Sequence, residues 1–236
     1  MAQTEIAYME VAGRSIAYRS RPGGNPAIVF LPGYASDMEG AKALALDSFA
    51  DRRGLAMLRL DYSGTGASEG RFEDGTLDRW LEEALAAIDQ LTHGPLVLVG
   101  SSMGGWIALH LALLRPDRVR ALVGIAAAPD FTDWGFADAD AAERNGLARG
   151  FWKSGQNLRL LENEIAIDCP VRLIHGEQDN DVPLEVAFRL LRALRSADVQ
   201  LNVIKGGGHR LSEPHEIDSI LHTVAVLIDQ PLEPAA

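Results

Sequence analysis

The chain has 236 residues, of which 47% are hydrophobic, and its formal net charge is −11. This length suits one α/β domain with a substantial core, and the negative charge would repel nucleic acid and anionic membranes. The single cysteine, Cys169, excludes an intrachain disulfide and a thiolate metal cluster. The acidic N-terminal sequence lacks the pattern of a secretion signal, and no stretch reaches the roughly 20 apolar residues needed to span a bilayer. We therefore expect a cytoplasmic protein.

Strands and helices are expected to alternate along most of the chain. Short, almost continuously apolar runs are typical of strands buried on both faces of a parallel sheet, and the segments between them have helical spacing. This alternation predicts an α/β fold with a mostly parallel sheet and helices on both faces, in which ligands lie beyond the carboxyl ends of the strands. The predicted strands are residues 6–11 and 15–18 (a hairpin), 27–31, 55–60, 96–99, 119–125, 171–174 and 199–204, and the predicted helices are residues 38–51, 76–91, 106–114, 184–195 and 215–228.

A glycine-rich segment, GTGASEG, begins at Gly64 after the predicted strand at residues 55–60. A dinucleotide-binding loop would need glycine at position 69, where Glu69 stands, and would open directly into a helix. We interpret the segment as a turn whose glycines give the backbone freedom beside a pocket. Trp80, in the helix that follows, is expected in the core.

The sequence LVLVGSSMGGW, residues 96–106, places a serine between a predicted strand and a predicted helix. Of the two serines in this segment, Ser102 has a glycine two positions before it and two after it, Gly100 and Gly104, and Ser101 does not. A nucleophilic serine at such a turn has a strained backbone that needs very small residues on both sides. The helix directs its free N–H groups toward the place where negative charge would develop. The alternative, a glycine-rich turn that only packs tightly, is weakened by the strand and helix that flank it.

A serine hydroxyl becomes a good nucleophile when an imidazole accepts its proton and a carboxylate orients that imidazole. Asp179 and Asp181 lie in the loop after the predicted strand at residues 171–174, and either carboxylate could reach an imidazole. His209 follows three glycines after the strand at residues 199–204. The other histidines lie within helices, before a strand or before the acidic loop, so His209 is the expected base.

An oxyanion formed during acyl transfer needs two backbone N–H donors. The residue after the serine, Met103, is expected to supply one. The other should come from the loop after residues 27–31, because that strand end neighbours the nucleophile turn in this arrangement. Gly33 permits close approach there, which leaves the N–H of Tyr34 as the second donor.

Residues 126–164 interrupt the alternation and are expected to form a small lid over the catalytic edge of a single domain that spans residues 1–236. Helices are predicted over residues 138–152 and 157–165, and a loose tail is predicted from residue 231. Aromatic side chains of this insert could line an apolar acyl pocket or could simply anchor the insert to the domain. They are Phe131, Trp134, Phe136, Phe151 and Trp152.

Five motifs follow one another along the chain: LPGYAS, LDYSGTGASEG, LVGSSMGGW, CPVRLIHGEQDNDVP and GGGHRLSEP. Together they resemble the α/β-hydrolase superfamily, and within it the branch of the mitochondrial palmitoyl-protein thioesterase, also described as mycophenolic acid acyl-glucuronide esterase, and its bacterial relatives. The likeness extends over nearly all of the chain. The resemblance implies Ser102 as the nucleophile, Asp179 as the acid and His209 as the base, and it implies hydrolysis of carboxylic esters or thioesters.

The leading hypothesis is a cytoplasmic serine esterase or thioesterase that forms an acyl-enzyme on Ser102 without a metal or organic cofactor. Its substrates would be small-molecule esters or thioesters, or acylated proteins, with short to medium or aromatic acyl groups. Two alternatives stay open: a catalytically silent module that binds a small ligand, and hydrolysis of carbon–carbon bonds or peptides, or perhydrolysis, by the same three residues. Dehalogenase chemistry is not expected, because it uses a carboxylate where Ser102 stands.

Overall fold

The part of the chain that the computed structural model describes, residues 4–230, contains one eight-stranded sheet. Its strands are β1 (Ala7–Val11), β2 (Arg14–Arg21), β3 (Gly24–Leu31), β4 (Leu55–Leu60), β5 (Leu96–Ser101), β6 (Val119–Ile125), β7 (Val171–Gly176) and β8 (Val199–Ile204). They lie in the order β1-β2-β4-β3-β5-β6-β7-β8. The pairs β1–β2 and β2–β4 are antiparallel and the remaining neighbours are parallel. The predicted mostly parallel sheet is confirmed; the tail predicted from residue 231 lies outside the described residues.

Eight α-helices accompany these strands within residues 4–230. They are α1 (Ala41–Arg53), α2 (Leu77–Leu91), α3 (Met103–Leu114), α4 (Phe131–Trp134), α5 (Ala139–Arg144), α6 (Arg149–Asn157), α7 (Leu184–Ala193) and α8 (Pro214–Asp229). None of them is long and apolar enough to cross a membrane.

The sheet separates two hydrophobic layers because successive side chains of a strand point to opposite faces. In β3, Val29 packs with α2 and α3 on one face, whereas Ile28 and Phe30 pack with α1 and α8 on the other. Trp80 of α2 is fully buried in the first layer, as the sequence predicts. The helices therefore cover the sheet on both faces and leave its edge at the carboxyl ends of the parallel strands for loops.

Helix α1 begins three residues later than predicted, because the backbone of Met38 is bound elsewhere. Its N–H donates to the Asp61 carboxylate at 2.7 Å, and its carbonyl accepts from the Arg59 guanidinium at 2.7 Å. Both partners are buried and belong to the end of β4 or the residue after it. The loop between β3 and α1 is thus fixed to the neighbouring strand before the helix starts.

The two helices predicted within residues 126–164 are corrected by the structure. The first is interrupted at Asn145 and Gly146, where Gly146 has a φ of +84°, so α5 and α6 are separate. The second is wrong: residues 158–165 contain turns and an isolated bridge to Leu194. The N–H groups of Leu160 and Leu161 donate to the Asp130 carboxylate at 2.7–3.0 Å instead of to helical carbonyls.

Asp130 is therefore expected to stabilise the segment that returns from the insert to β7. Its side chain is buried, and Asp130→Ala would leave the N–H groups of Leu160 and Leu161 without their acceptor. We expect the free energy of unfolding in urea to fall by about 2–3 kcal/mol.

Asp133→Ala is the matched control, because that exposed carboxylate pairs with Arg159 at 3.3 Å. Its loss should lie within about 1 kcal/mol. Equal losses in the two variants would contradict the role given to Asp130.

Candidate active site

Ser102 lies between β5 and α3 with an unusual backbone conformation, φ +54° and ψ −120°. Residues other than glycine rarely adopt a positive φ, so the turn stores strain that neighbouring contacts must balance. The N–H of Ser102 donates to the Ile125 carbonyl at 2.9 Å, and its carbonyl accepts from the N–H of Ala128 at 3.1 Å. The last residue of β6, Ile125, and Ala128 in the segment after it thereby hold the turn in place.

Glycine is required on both sides of this turn because backbone atoms approach closely. A Cβ atom on Gly100 would lie 2.3 Å from the carbonyl oxygen of Gly104, and one on Gly104 would lie 2.0 Å from that of Leu31. No Cβ tolerates such distances, so the spacing noticed in the sequence has a direct steric cause.

The structure brings Ser102, His209 and Asp179 together at the carboxyl edge of the sheet. The Nε2 atom of His209 is 3.1 Å from the Ser102 hydroxyl, and its Nδ1 atom is 2.9 Å from Oδ2 of Asp179. An ionised carboxylate only accepts hydrogen bonds, so Nδ1–H must be the donor. In the neutral imidazole Nε2 is then free to accept the serine proton.

Asp179 is held as a carboxylate by its hydrogen bonds. Its Oδ1 atom accepts from the N–H of Asp181 at 2.9 Å and of Val182 at 2.8 Å. Burial pushes the pKa of Asp179 upward, but the bonds from His209, Val182 and Asp181 outweigh it, and the pKa is lowered below the ordinary value. Asp181, the other candidate, is exposed, and its backbone N–H donates to Asp179. The imidazole of His209 bonds the carboxylate of Asp179 instead.

A second histidine, His175, supports the acid and was not assigned a role from the sequence. It is buried at the end of β7, and its Nε2–H donates to the Val182 carbonyl at 2.9 Å. The same nitrogen is 3.5 Å from Oδ2 of Asp179. In the sequence, the one sign of this role is that His175 lies four residues before Asp179. That spacing alone does not distinguish it from a histidine that simply packs in the core.

The loop after β3 lies directly against the nucleophile. A Cβ atom on Gly33 would be 3.2 Å from the Ser101 carbonyl oxygen and 3.3 Å from Cβ of Ser102. Tyr34 follows and lines the space around Ser102. Met103 opens α3, where the first N–H groups of a helix have no partner within the helix. Both residues expected to bind an oxyanion therefore border the serine.

An apolar cavity of about 220 Å³ opens on one side of Ser102. Trp134 and Phe136 line it, as do Phe131 and Val182, but Phe151 and Trp152 are not among its lining residues. The lining residues that belong to the insert are Ala128, Phe131, Trp134, Gly135 and Phe136.

Phe151 belongs to the aromatic core that supports this cavity. It is fully buried, stacks on Phe131 with ring centroids 5.6 Å apart, and contacts Tyr34 at 5.1 Å. Trp152 is half-buried and packs against the main core. The sequence allows these aromatic residues either to line a pocket or to anchor the insert to the domain. Trp134 and Phe136 line the cavity, whereas Phe151 and Trp152 pack in the core and anchor the insert.

A second, more polar cleft of about 420 Å³ also reaches Ser102. Its walls come from the β3–α1 loop, the first turn of α1 and the residues after His209. Its charged or hydroxylated lining residues, apart from Ser102, are Tyr34, Ser36, Asp37, Lys42, Ser101, Arg210 and Ser212.

Within residues 4–230 the side chains that could ligate a metal ion come together at one place. One group has ligand atoms within 4.8 Å of one another: Asp179, Asp181 and His209. Asp179 and His209 already bond each other at 2.9 Å, so a cation would have to break the bond that orients the imidazole. Burial raises the pKa of the Cys169 thiol to about 11, which keeps it protonated and unreactive near neutral pH.

Comparisons with known proteins agree with this geometry. The family described as alpha/beta hydrolase fold matches residues 26–145. Human mitochondrial palmitoyl-protein thioesterase ABHD10 is 36% identical over 92% of this chain and 77% of its own length.

Two solved structures are also similar. Mouse alpha/beta hydrolase domain-containing protein 10 superposes with a TM-score of 0.89 at 33% identity, over 96% of this chain and 99% of that chain. A putative hydrolase from Agrobacterium vitis S4 has a TM-score of 0.88 at 37% identity, over the same shares of the two chains.

Proposed function

The chain belongs to the α/β-hydrolase family and is a hydrolase of esters or thioesters, and from this premise we propose that Ser102, His209 and Asp179 are its catalytic triad. The observation that carries the proposal is the continuous pair of hydrogen bonds, 3.1 Å from hydroxyl to Nε2 and 2.9 Å from Nδ1 to carboxylate. These distances are within reach for proton transfer from the serine to the imidazole.

In the proposed first half-reaction, Oγ of Ser102 attacks the substrate carbonyl carbon while Nε2 of His209 takes the hydroxyl proton. Asp179 stabilises the imidazolium that forms. The imidazolium then gives its proton to the departing alcohol or thiol, which leaves the acyl group esterified to Ser102. In the second half, a water molecule gives its proton to His209 and attacks the acyl carbonyl, and the acid is released as Ser102 regains its proton.

The N–H groups of Met103 and Tyr34 are proposed to bind the oxyanion of each tetrahedral intermediate. Two features support them: Met103 is the first residue of α3, and Gly33, the residue before Tyr34, lies so close that a Cβ atom on it would be 3.3 Å from Cβ of Ser102. Fixed donors of this kind stabilise charge that develops only in the transition state.

The apolar cavity is proposed to hold the acyl group. Its volume of about 220 Å³ lies below the roughly 300–1,000 Å³ of cavities that take drug-sized ligands, which favours short to medium or aromatic acyl groups. The human relative is named for palmitoyl-protein substrates, so a longer chain on this enzyme would need the insert to move.

Residues 126–164 are proposed to act as the lid of a single domain spanning residues 1–236, because the insert supplies the aromatic wall beside Ser102. A cytoplasmic location stays a prediction, whereas the human and mouse relatives are named as mitochondrial.

Replacing the nucleophile tests the proposed reaction directly. Ser102→Ala is expected to lower kcat for 4-nitrophenyl butyrate by at least about 10⁴-fold, because no covalent intermediate can form. A fluorophosphonate probe should label the wild-type protein on Ser102 and leave the variant unlabelled. A wild-type protein that neither labels nor turns over esters would instead support the silent binding module.

The two carboxylates left open by the sequence can be separated by matched variants. Asp179→Asn should lower kcat/KM by about 10³–10⁴-fold, because an amide cannot fix the imidazole tautomer or stabilise the imidazolium. Asp181→Asn retains the backbone N–H that bonds Asp179, and its loss should stay below tenfold. Ester hydrolysis assays of both variants measure these losses of kcat/KM. A larger loss in Asp181→Asn than in Asp179→Asn would assign the catalytic acid to Asp181.

The acyl-length preference should depend on Trp134. Trp134→Leu is expected to enlarge the apolar cavity and to move the optimum in a series of 4-nitrophenyl esters from two to sixteen carbons toward longer chains. Trp152→Leu is the control, because this second tryptophan of the insert does not line the cavity. An identical shift of the optimum in both variants would indicate that the whole insert has loosened. An unchanged optimum in Trp134→Leu would show that the apolar cavity does not determine the acyl-length preference.

A further inference from the structure

The two cavities meet at the nucleophile, and both are lined by Tyr34, Ser102 and His209. An ester carbonyl bound at Ser102 carries two substituents, the acyl chain and the leaving group. If the apolar cavity holds the first, as proposed above, the polar cleft is the space that remains for the second. Its volume of about 420 Å³ is nearly twice that of the apolar cavity, at about 220 Å³.

The lining of the cleft differs in charge from that of the apolar cavity. The cleft carries two cationic side chains, Lys42 and Arg210, and one carboxylate, Asp37, whereas the charged side chain of the apolar cavity is Asp181. The Asp37 carboxylate already accepts from the N–H of Glu39 at 2.8 Å. A net positive cleft beside the nucleophile stands out in a chain whose net charge is −11.

Lys42 connects the cleft wall to the catalytic loop. Its ammonium donates to the carbonyl of Arg210, the residue next to His209. Burial lowers the pKa of Lys42, the Glu216 carboxylate opposes that change, and the Arg210 guanidinium adds to it. An anion bound between the two cations would favour the charged form of Lys42, because it would offset both burial and repulsion.

Arg210 is available to a ligand. Its residue is exposed, and within residues 4–230 its guanidinium makes no hydrogen bond or ion pair with another side chain. Gly40, the residue before α1, and Ala41, its first residue, line the same wall, and the first turn of α1 has no acidic residue and no side-chain cap. The cleft therefore offers positive charge that no neighbouring carboxylate fully satisfies.

Resting on the proposed triad, we infer that the polar cleft binds the leaving group and that Lys42 and Arg210 select alcohols or thiols bearing a carboxylate or a phosphate. After the ester bond breaks, the leaving oxygen or sulfur takes the proton from Nε2 of His209 and departs through the cleft. The guanidinium fork can bind either anion with two parallel hydrogen bonds.

The test compares substrates that share a butyryl group and differ in leaving-group charge. The ester pair is 3-butyryloxy-4-nitrobenzoate, whose leaving group has a carboxylate, and neutral 4-nitrophenyl butyrate. The thioester pair is butyryl-coenzyme A, whose leaving group has phosphates, and neutral S-butyryl-N-acetylcysteamine. Each pair yields a ratio of kcat/KM values, anionic over neutral, in which changes common to both substrates cancel.

Arg210→Gln and Lys42→Gln are each expected to lower at least one of these ratios by about three- to fivefold, since a partly exposed ion pair contributes up to about 1 kcal/mol. Arg52→Gln is the matched control, because this exposed arginine of α1 lines neither cavity. A fall confined to the ester ratio identifies a carboxylate as the bound anion, and one confined to the thioester ratio identifies a phosphate.

Ratios in Arg210→Gln and Lys42→Gln that match those of Arg52→Gln would overturn the inference. If turnover of the neutral esters still depended on Ser102 in that case, the proposed triad would stand without it. If none of the four substrates were hydrolysed, the proposed reaction itself would fail, and the leaving-group site with it.

Discussion

The positive φ of the backbone at Ser102 is the constraint on which the active site depends. It turns the chain from β5 into α3 within one residue, so Ser102 lies directly before the first residue of the helix, Met103. The conformation survives because two glycines remove the side chains that would collide with backbone oxygens 2.0–2.3 Å away, and because the last residue of β6 and the segment after it bind the turn on both sides. Asp179 and His209 are brought to this point by the loops after the parallel strands β7 and β8.

Much of this arrangement could be predicted because it follows from local sequence. Apolar runs predicted β4, β6 and β8 with their observed bounds, and the shared edge of parallel strands explains why loops distant in sequence meet at Ser102. The choice between Asp179 and Asp181 could not be made from the residues alone, since both follow the same strand. It depends on which carboxylate the turn directs inward: that of Asp179 is buried and bonded to His209, whereas Asp181 is exposed.

The features that the sequence did not predict depend on bonds between distant residues. The helix expected over residues 157–165 is absent because Leu160 and Leu161 donate to Asp130, 30 and 31 positions earlier. The late start of α1 has a similar origin in the bonds of Met38 to Asp61 and Arg59. Neither contact produces a periodic pattern, and a buried aspartate or arginine in a sequence does not reveal its partner.

The bonds around Val182 have a consequence for the tolerance of the active site to change. Its N–H holds Asp179 and its carbonyl is held by the buried His175, so the acid is anchored to the interior of β7 rather than to the surface of its own loop. The side chains of Gln178 and Asn180 point outward on either side of it. Substitutions at these exposed positions can therefore change the surface of the loop, and with it the solubility of the protein or its contacts with other molecules. The hydrogen bond between Asp179 and His209 would keep its geometry.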